Sequence, residues 1–478
     1  YGAAFPPVSI GDMVNGHRLL LKQLGIDRLA AVVGGSMGGM QVLEWIIRHP
    51  EMIDNCICIA SAARLSAQAL AFDLIGRKAI TDDPQWAGGD FYASSDLPTR
   101  GLALARQIGH ITYLSQEMME EKFGRERTEA GSRFQVESYL EHQGAKFVKR
   151  FDANSYVRIT AAIDQYDISE KTGSLEKAFA PVLAKVLVVA LSSDWLFPPE
   201  QSIELATALL RAGKHVTYCE LNAPHGHDAF LVDVGHLGEV IRAFLPWVKS
   251  IPAHEEESSR RKAANIEHAA PDTRPLNERR KDHEIIADMI KDRARVLDLG
   301  CGKGELLRLL AQRRRISGIG VDIDVEHVIS VIDSGLDIFQ GDIDHGLQII
   351  PDDAYDYAVL SETLQVVRKP KLVLHEMLRI AREGIVSFPN FGTWSHRLSL
   401  LFCGRMPKGG ALPFEWYETP NIHLFTLDDF VRLCHEDHIR ILETVCIPES
   451  KVSRILLRLG LRNLGADRIL VRIMREDS

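Results

Sequence analysis

Apolar positions along the first 250 residues fall into two alternating rhythms. In SIGDMVNGHRLLLKQLG (9–25), Ile10, Met13, Val14, Leu20, Leu21 and Leu24 recur at helical spacing, Ser9 and Asp12 form a capping box, and Gly25 ends the run. LAAVV (29–33) and NCICIA (55–60) are short continuous apolar runs, the mark of buried strands, and MQVLEWIIRH (40–49) between them is a helix that stops before Pro50. From about Arg64 to Ser174 the strand rhythm disappears and the pattern predicts several helices. Strands resume at KVLVVAL (185–191) and HVTYCEL (215–221), with the helix PEQSIELATALLRAG (199–213) between them. This is an α/β sheet carrying a helical insertion. The alternation returns after residue 283: ARVLDLG, ISGIGVDI, YDYAVLS and EGIVSFP read as strands and GELLRLLAQRR as a helix, which predicts a second parallel sheet covered on both faces.

Between the two halves lies IPAHEEESSRRKAANIEHAAPDTRPLNERRKDH (251–283). It is charged, poor in large apolar residues and without a sustained period, so a solvated tether is expected there. The expected organisation is a first domain over 1–248 with a helical lid at about 64–174, a linker over 249–282, and a second domain over 283–478. A length of 478 residues suits two cores better than one. A net charge of -9 lacks the basic footprint that nucleic acid requires, and the absence of a long uncharged apolar run argues against a membrane span. Seven scattered cysteines fit a reducing cytoplasm. Cys56 and Cys58 alternate within a buried run, which favours a structural role over metal ligation, and no metal is expected.

The candidate chemistry starts at VVGGSMGGM. Gly34-Gly35-Ser36-Met37-Gly38 is G-x-S-x-G between a strand and a helix, the context in which a sharp turn presents a nucleophilic serine. The Met37 N–H, at the helix N-terminus, can donate to an oxyanion. A serine needs a base oriented by an acid. Asp194 follows a strand in SSDWLFPPE, and APHGHDAFL offers two histidines after the next strand, His225 and His227, which spacing alone does not separate.

These stretches resemble the homoserine O-acyltransferases of the MetX type over roughly residues 1–248. The resemblance rests on VVGGSMGGMQ, GLALARQIGHITYLS, FQVESYLEHQGAKFVKRFDANSY and GHDAFL. It implies an α/β-hydrolase fold whose helical lid also forms a homodimer interface, with transfer of an acyl group from acetyl-CoA or succinyl-CoA to homoserine. It further implies Ser36 as nucleophile, Asp194 as orienting acid and His227 as base. Arg106 and Tyr113 would reach the substrate, and Asp228 would meet its amine. The charges suit a zwitterion: Arg106 can fork onto a carboxylate, and its helical neighbours Leu102 and His110 offer it no acid. Acetyl is favoured, since a succinyl carboxylate needs a further cation. Relative to that family the sequence lacks a front portion carrying the second oxyanion donor, so this polypeptide alone is expected to be inactive or barely active in acyl transfer.

In the second half, VLDLGCGKGELL sets Asp298, Gly300, Gly302 and Gly304 between a strand and a helix, where glycines permit close approach to a ligand. GVDID supplies Asp322, suited to a ribose diol, and QGDID supplies Asp342, suited to an adenine edge. This spacing is similar to class I S-adenosylmethionine-dependent methyltransferases. SETLQVVRKPKLVLHEMLRIAREGIVSFPNFG and GRMPKGGALPFEWYETPNIHLFT narrow the resemblance to the MetW family over about 283–448. It implies S-adenosylmethionine as a possible ligand and a role in supporting the acyltransferase through contact between the two domains. Two other readings compete: a serine esterase with the same triad, and a non-catalytic sensor of an adenosine ligand.

Overall fold

The computed structural model describes residues 2–94, 96–128, 131–232, 234–248, 281–408, 412 and 415–476. The chain divides into two units, Tyr1–Ile241 and Arg242–Ser478.

In the first unit, strands β1 (Val32–Gly35), β2 (Asn55–Ile59), β3 (Lys185–Leu191) and β4 (Val216–Leu221) lie in that order, all parallel. Helix α1 (Ile10–Gln23) packs on α2 (Met37–Arg48), and α2 packs on β1 and β2. The Ser9–Asp12 capping box forms as the sequence predicts, but only the first turns of α1 are covered. Ile10 and Val14 are buried, whereas Leu20 and Leu24 are exposed, because no described residue covers the later turns. Strand β2 is buried throughout, and Cys56 and Cys58 are free thiols pushed upward by burial, as a structural role requires. The insertion between β2 and β3 contains α3 (Ala67–Thr81), α4 (Thr99–Tyr113), α5 (Gln116–Phe123), α6 (Gln135–Phe147) and α7 (Ala153–Asp164). α3 packs on α4 and α7, and α4 packs on α6, around a small core of Ile80, Phe91, Leu102, Ala105, Phe147 and Ala153. After the short helix α8 (Leu175–Phe179) the chain returns to the sheet, and α9 (Pro199–Arg211) covers β3 and β4.

The second unit holds β5 (Arg295–Leu299), β6 (Ser317–Asp322), β7 (Asp337–Gln340), β8 (Tyr355–Ser361), β9 (Ala381–Pro389), β10 (Ile439–Ile447) and β11 (Arg468–Arg475), in the order β7-β6-β5-β8-β9-β11-β10. The first five strands are parallel, as expected. β11 and β10 run antiparallel, so the sheet is mixed rather than wholly parallel. Their sequences, RILVRIMR and IRILETVCI, set charged residues among apolar ones, and β10 lies at the sheet edge with one partner strand and partial exposure. The expected tether lies, up to residue 280, outside the described residues. A helix over Lys281–Met289 begins within its last residues, where Asp282 is buried and faces Arg468 at 3.7 Å.

Candidate active site

Strand β1 ends in a turn that only a forced backbone can make. Ser36 has φ 57° and ψ −125°, outside the regions an L-residue prefers, and α2 starts at the next residue. Its carbonyl accepts from the N–H groups of Gly39 and Met40 and from Ser61 Oγ at 2.8 Å, which fixes the turn from three sides. A side chain at Gly34 would overlap the carbonyl of Gly38, so strand and helix cross in contact at that point. A Cβ on Gly39 would run into Ser61, whereas one on Gly38 would meet nothing within 4 Å. The steric demand therefore falls on Gly34 and Gly39 rather than on Gly38. Met37 opens α2, where N–H groups have no partner inside the helix, so its N–H is available to an anion.

Asp194 follows β3, and His227 follows β4. Asp194 is 2 % exposed, its Oδ1 accepts from the N–H groups of Leu196 and Phe197, and its Oδ2 lies 2.7 Å from His227 Nδ1. This hydrogen bond leaves Nε2 of His227 as the nitrogen that can take a proton. The two loops are tied together: Ser193 Oγ donates to Ala223 O and accepts from Gly226 N–H, and Ser192 Oγ accepts from Ala223 N–H at 3.1 Å. Gly226 has φ 74°, and a Cβ there would meet the Ser115 nitrogen at 2.5 Å. The structure thus separates the two histidines that spacing alone could not. His227 meets the acid, while Nδ1 of His225 is buried with no partner among the described residues.

A cavity of about 260 Å³ opens beside Ser36, walled also by Asp73, Arg106, Tyr113, Phe147, Tyr156 and Phe197. Phe197, Phe230 and Tyr113 surround the His227 ring at 5.2, 5.7 and 5.9 Å between centroids. The His227 ring therefore sits in an aromatic collar, two of whose rings, Tyr113 and Phe197, also line the cavity with Ser36. Arg106 lies over the rings of Tyr113 and Phe147, at 5.2 and 4.9 Å from their centroids, and among the described residues it has no ion pair. Such stacking orients the guanidinium without neutralising it. Asp228 follows the base but does not wall the cavity. Burial raises its carboxyl above the usual range, against the lowering pull of His227 and Arg106. Burial raises the Tyr113 hydroxyl; Arg106, 5.2 Å from the ring centroid, pulls it down, and the charges of Asp73 and Asp228 push it up.

Asp73 is the acid that motif reading missed. It stands on α3 one turn before Arg77, and Arg77 pairs with Asp164 on α7. The available signal was an i, i+4 Asp–Arg pair in AFDLIGRKAI, whose Asp73 is the one acid among mostly apolar residues.

The second unit brings its glycine loop together around Asp298 and Asp322. Gly300, Gly302 and Gly304 have φ 70°, 54° and 73°, so all three require glycine. Side chains at Gly300 and Gly304 would meet Thr363 and Val331, whereas Gly302 faces open space. Asp322 is engaged within the protein: Oδ2 accepts from Gly302 N–H at 2.8 Å, and Oδ1 accepts from Asp324 N–H and pairs with His327 at 3.1 Å. Asp298 is buried with Oδ1 unpartnered, and desolvation, then the charge of Asp322, pushes its carboxyl up to about 7. Asp342 caps the 3-10 turn Ile343–His345 and pairs with His345; it makes no bond to the loop.

Comparison with known proteins agrees with both halves. A family model described as the alpha/beta hydrolase fold matches residues 4–234, and one described as methionine biosynthesis protein MetW matches residues 280–471. Over its whole length the chain is 40% identical to a bifunctional methionine biosynthesis protein MetXA/MetW of Rhodopirellula baltica, and covers 76% of that protein. Over 51% of its length it is 46% identical to a homoserine O-acetyltransferase of Methanosarcina acetivorans and 49% identical to a homoserine O-succinyltransferase of Bordetella pertussis. The chain spans 52% and 61% of the length of those two proteins. Fold and matches together define an enzyme of the α/β-hydrolase class joined to a MetW domain. The chain belongs to the bifunctional MetXA/MetW methionine biosynthesis proteins.

Proposed function

We propose that the first unit transfers an acyl group from acyl-CoA to the hydroxyl of homoserine through an acyl-Ser36 intermediate. The observation that carries this reading is the cavity that holds Ser36 and Arg106, which has no ion pair among the described residues, near the Asp194–His227 pair. His227 Nε2 takes the proton of Ser36 Oγ as that oxygen attacks the thioester carbonyl. The Met37 N–H stabilises the oxyanion, and the CoA thiolate leaves with the proton from His227. The homoserine hydroxyl then attacks the acyl-serine, giving its proton to His227, which returns it to Ser36. Arg106 takes the homoserine carboxylate, Tyr113 stacks on that guanidinium, and Asp228 takes the ammonium. A simple ester needs none of these charges, which separates this reading from an esterase.

Acetyl is the donor this cavity favours. Arg106 is the one cation among the described residues walling it, and a succinyl carboxylate would compete with homoserine for it. Mass spectrometry of the product formed from each CoA thioester tests the donor. Arg106→Ala is expected to raise KM for homoserine by roughly ten- to a hundredfold, the cost of losing a charged hydrogen-bonding partner. Unchanged homoserine kinetics in that variant would sink the substrate assignment.

For the second unit we propose a supporting role toward the first, exerted through contact within the chain, and an adenosine-type ligand such as S-adenosylmethionine at the glycine loop. The open face of Gly302 suits such a ligand, whose ribose would share Asp322 with Gly302 N–H and His327. Calorimetry with S-adenosylmethionine on wild type and Asp322→Ala tests that part; no heat from either would remove it. Among the described residues no helix is long and apolar enough to cross a membrane. The setting we propose is the cytoplasm, on the strength of the scattered free thiols, which a reducing compartment suits. Exposed Leu74 and Ile75 on α3, with Leu104 and Ile111 on α4, support a homodimer through the lid.

A further inference from the structure

The cavity beside Ser36 has an acidic wall that neither the triad nor Arg106 uses. Asp73 lines it from α3, on the same cavity as Arg106 from α4. Behind Asp73 stands Asp164, at the end of α7, whose Oδ2 is held by Arg77 and whose carboxyl also interacts with that of Asp73. Arg77 is thus committed to Asp164, and the second carboxyl, Asp73, is left facing the cavity. The other titratable groups about it are Tyr113 on α4 and Tyr156 on α7, both neutral at physiological pH because burial raises them. One cation and one acid on a single small cavity match an α-amino acid better than a neutral alcohol.

We propose that Asp73 is a second carboxylate for the ammonium of the amino-acid acceptor, in addition to Asp228, and that it gives up a proton as the acceptor binds. This rests on the acyl-transfer reading above and adds to it a residue and a proton. An ammonium carries three N–H donors, so two acids can hold it at once. The charges of Asp73 and Asp228 both reach Tyr113, and both raise its hydroxyl. Desolvation, then the like charge of Asp164 and a side-chain hydrogen bond with it, push Asp73 up to about 7, against the opposite pull of Arg77. An arriving ammonium favours the ionised form, so the proton leaves to solvent. At pH 7 a group half protonated before binding releases roughly half a proton per site. Below that pH, binding must first displace a full proton, so affinity for the acceptor falls as pH drops.

Calorimetry of L-homoserine on the full chain, at pH 6 to 8 in two buffers of different ionisation enthalpy, reads this directly. The wild type is expected to release a proton. Asp73→Asn is expected to bind homoserine about tenfold or more weakly without releasing one, and to bind 4-hydroxybutyrate, which lacks the amine, as wild type does. Asp164→Asn removes the like charge but not the burial, so Asp73 holds its proton less tightly. Homoserine should then still bind, with less proton release at pH 7 than wild type and with its loss of affinity moved to lower pH. This second variant keeps the test decisive if Asp73→Asn unfolds. Homoserine binding to wild type with no proton release, or equal homoserine affinity in Asp73→Asn, overturns the proposal and leaves the acyl-transfer reading standing. If wild type binds no homoserine at all, the acyl-transfer reading fails and this proposal falls with it.

Discussion

At the scale of single residues, the site depends on carboxyls placed in unlike surroundings. Asp194 accepts from two backbone N–H groups, and its other oxygen lies 2.7 Å from His227 Nδ1. Asp194→Asn keeps the shape but can offer the ring an N–H, which favours the wrong tautomer. A drop in acyl transfer of roughly ten-thousandfold is expected, with little change in melting temperature. In the second unit Asp298 has the reverse problem, a buried carboxyl with an unpartnered oxygen, raised to about 7. Between pH 4 and 7 the unfolded chain ionises this group while the folded chain keeps it protonated. The unfolded state then binds fewer protons, so stability falls as pH rises through that window and levels off above about 7. Asp298→Asn removes this penalty, and denaturant titrations should show a gain that is small at pH 4 and reaches a few kcal/mol, roughly 3, at pH 7. A gain independent of pH would rule out ionisation of Asp298 as its source.

At the scale of elements, the crossing of β1 and α2 is the most constrained place in the first unit. Gly34→Ala sets a methyl group against the Gly38 carbonyl, where neither backbone can yield easily, and should cost at least about 1–3 kcal/mol. Gly38→Ala has open space and a helical backbone, so it should be neutral or stabilising by up to about 1 kcal/mol. Chemical denaturation of the two variants separates them. The motif G-x-S-x-G does not distinguish these glycines, because it records spacing and not which backbone approaches which. The same limit explains what else was and was not legible. Strands β1 to β4, and the parallel strands β5, β6, β8 and β9, announce themselves as apolar runs because both their faces are buried. β10 and β11 do not, because charged residues interrupt them. Ser36, Asp194 and the loop holding His227 were legible because each sits where a strand ends. Asp73 was not, because its role comes from the packing of α3 on α4 and α7, which no spacing along the chain encodes.

At the scale of the whole molecule, the question is what joining the two units achieves. Residues 249–280 separate the MetX-like segment from the helix that opens the second unit. A chain of that length holds two partners at an effective concentration in the millimolar range when it can span their contact sites. If the second unit supports acyl transfer by touching the first, a weak contact then suffices, since tethering supplies the concentration that affinity does not. Cutting the tether should expose this. With a protease site placed between residues 249 and 280, the cleaved protein should lose homoserine acylation on dilution to nanomolar concentrations and recover it as concentration rises. The uncut protein should keep a constant specific activity over the same range. The Asp73 and Arg106 dependence of the reaction should persist in the recovered complex, because those groups belong to the first unit alone. Specific activity unaffected by cleavage at any dilution would remove the supporting role, leaving two functions that share only a chain.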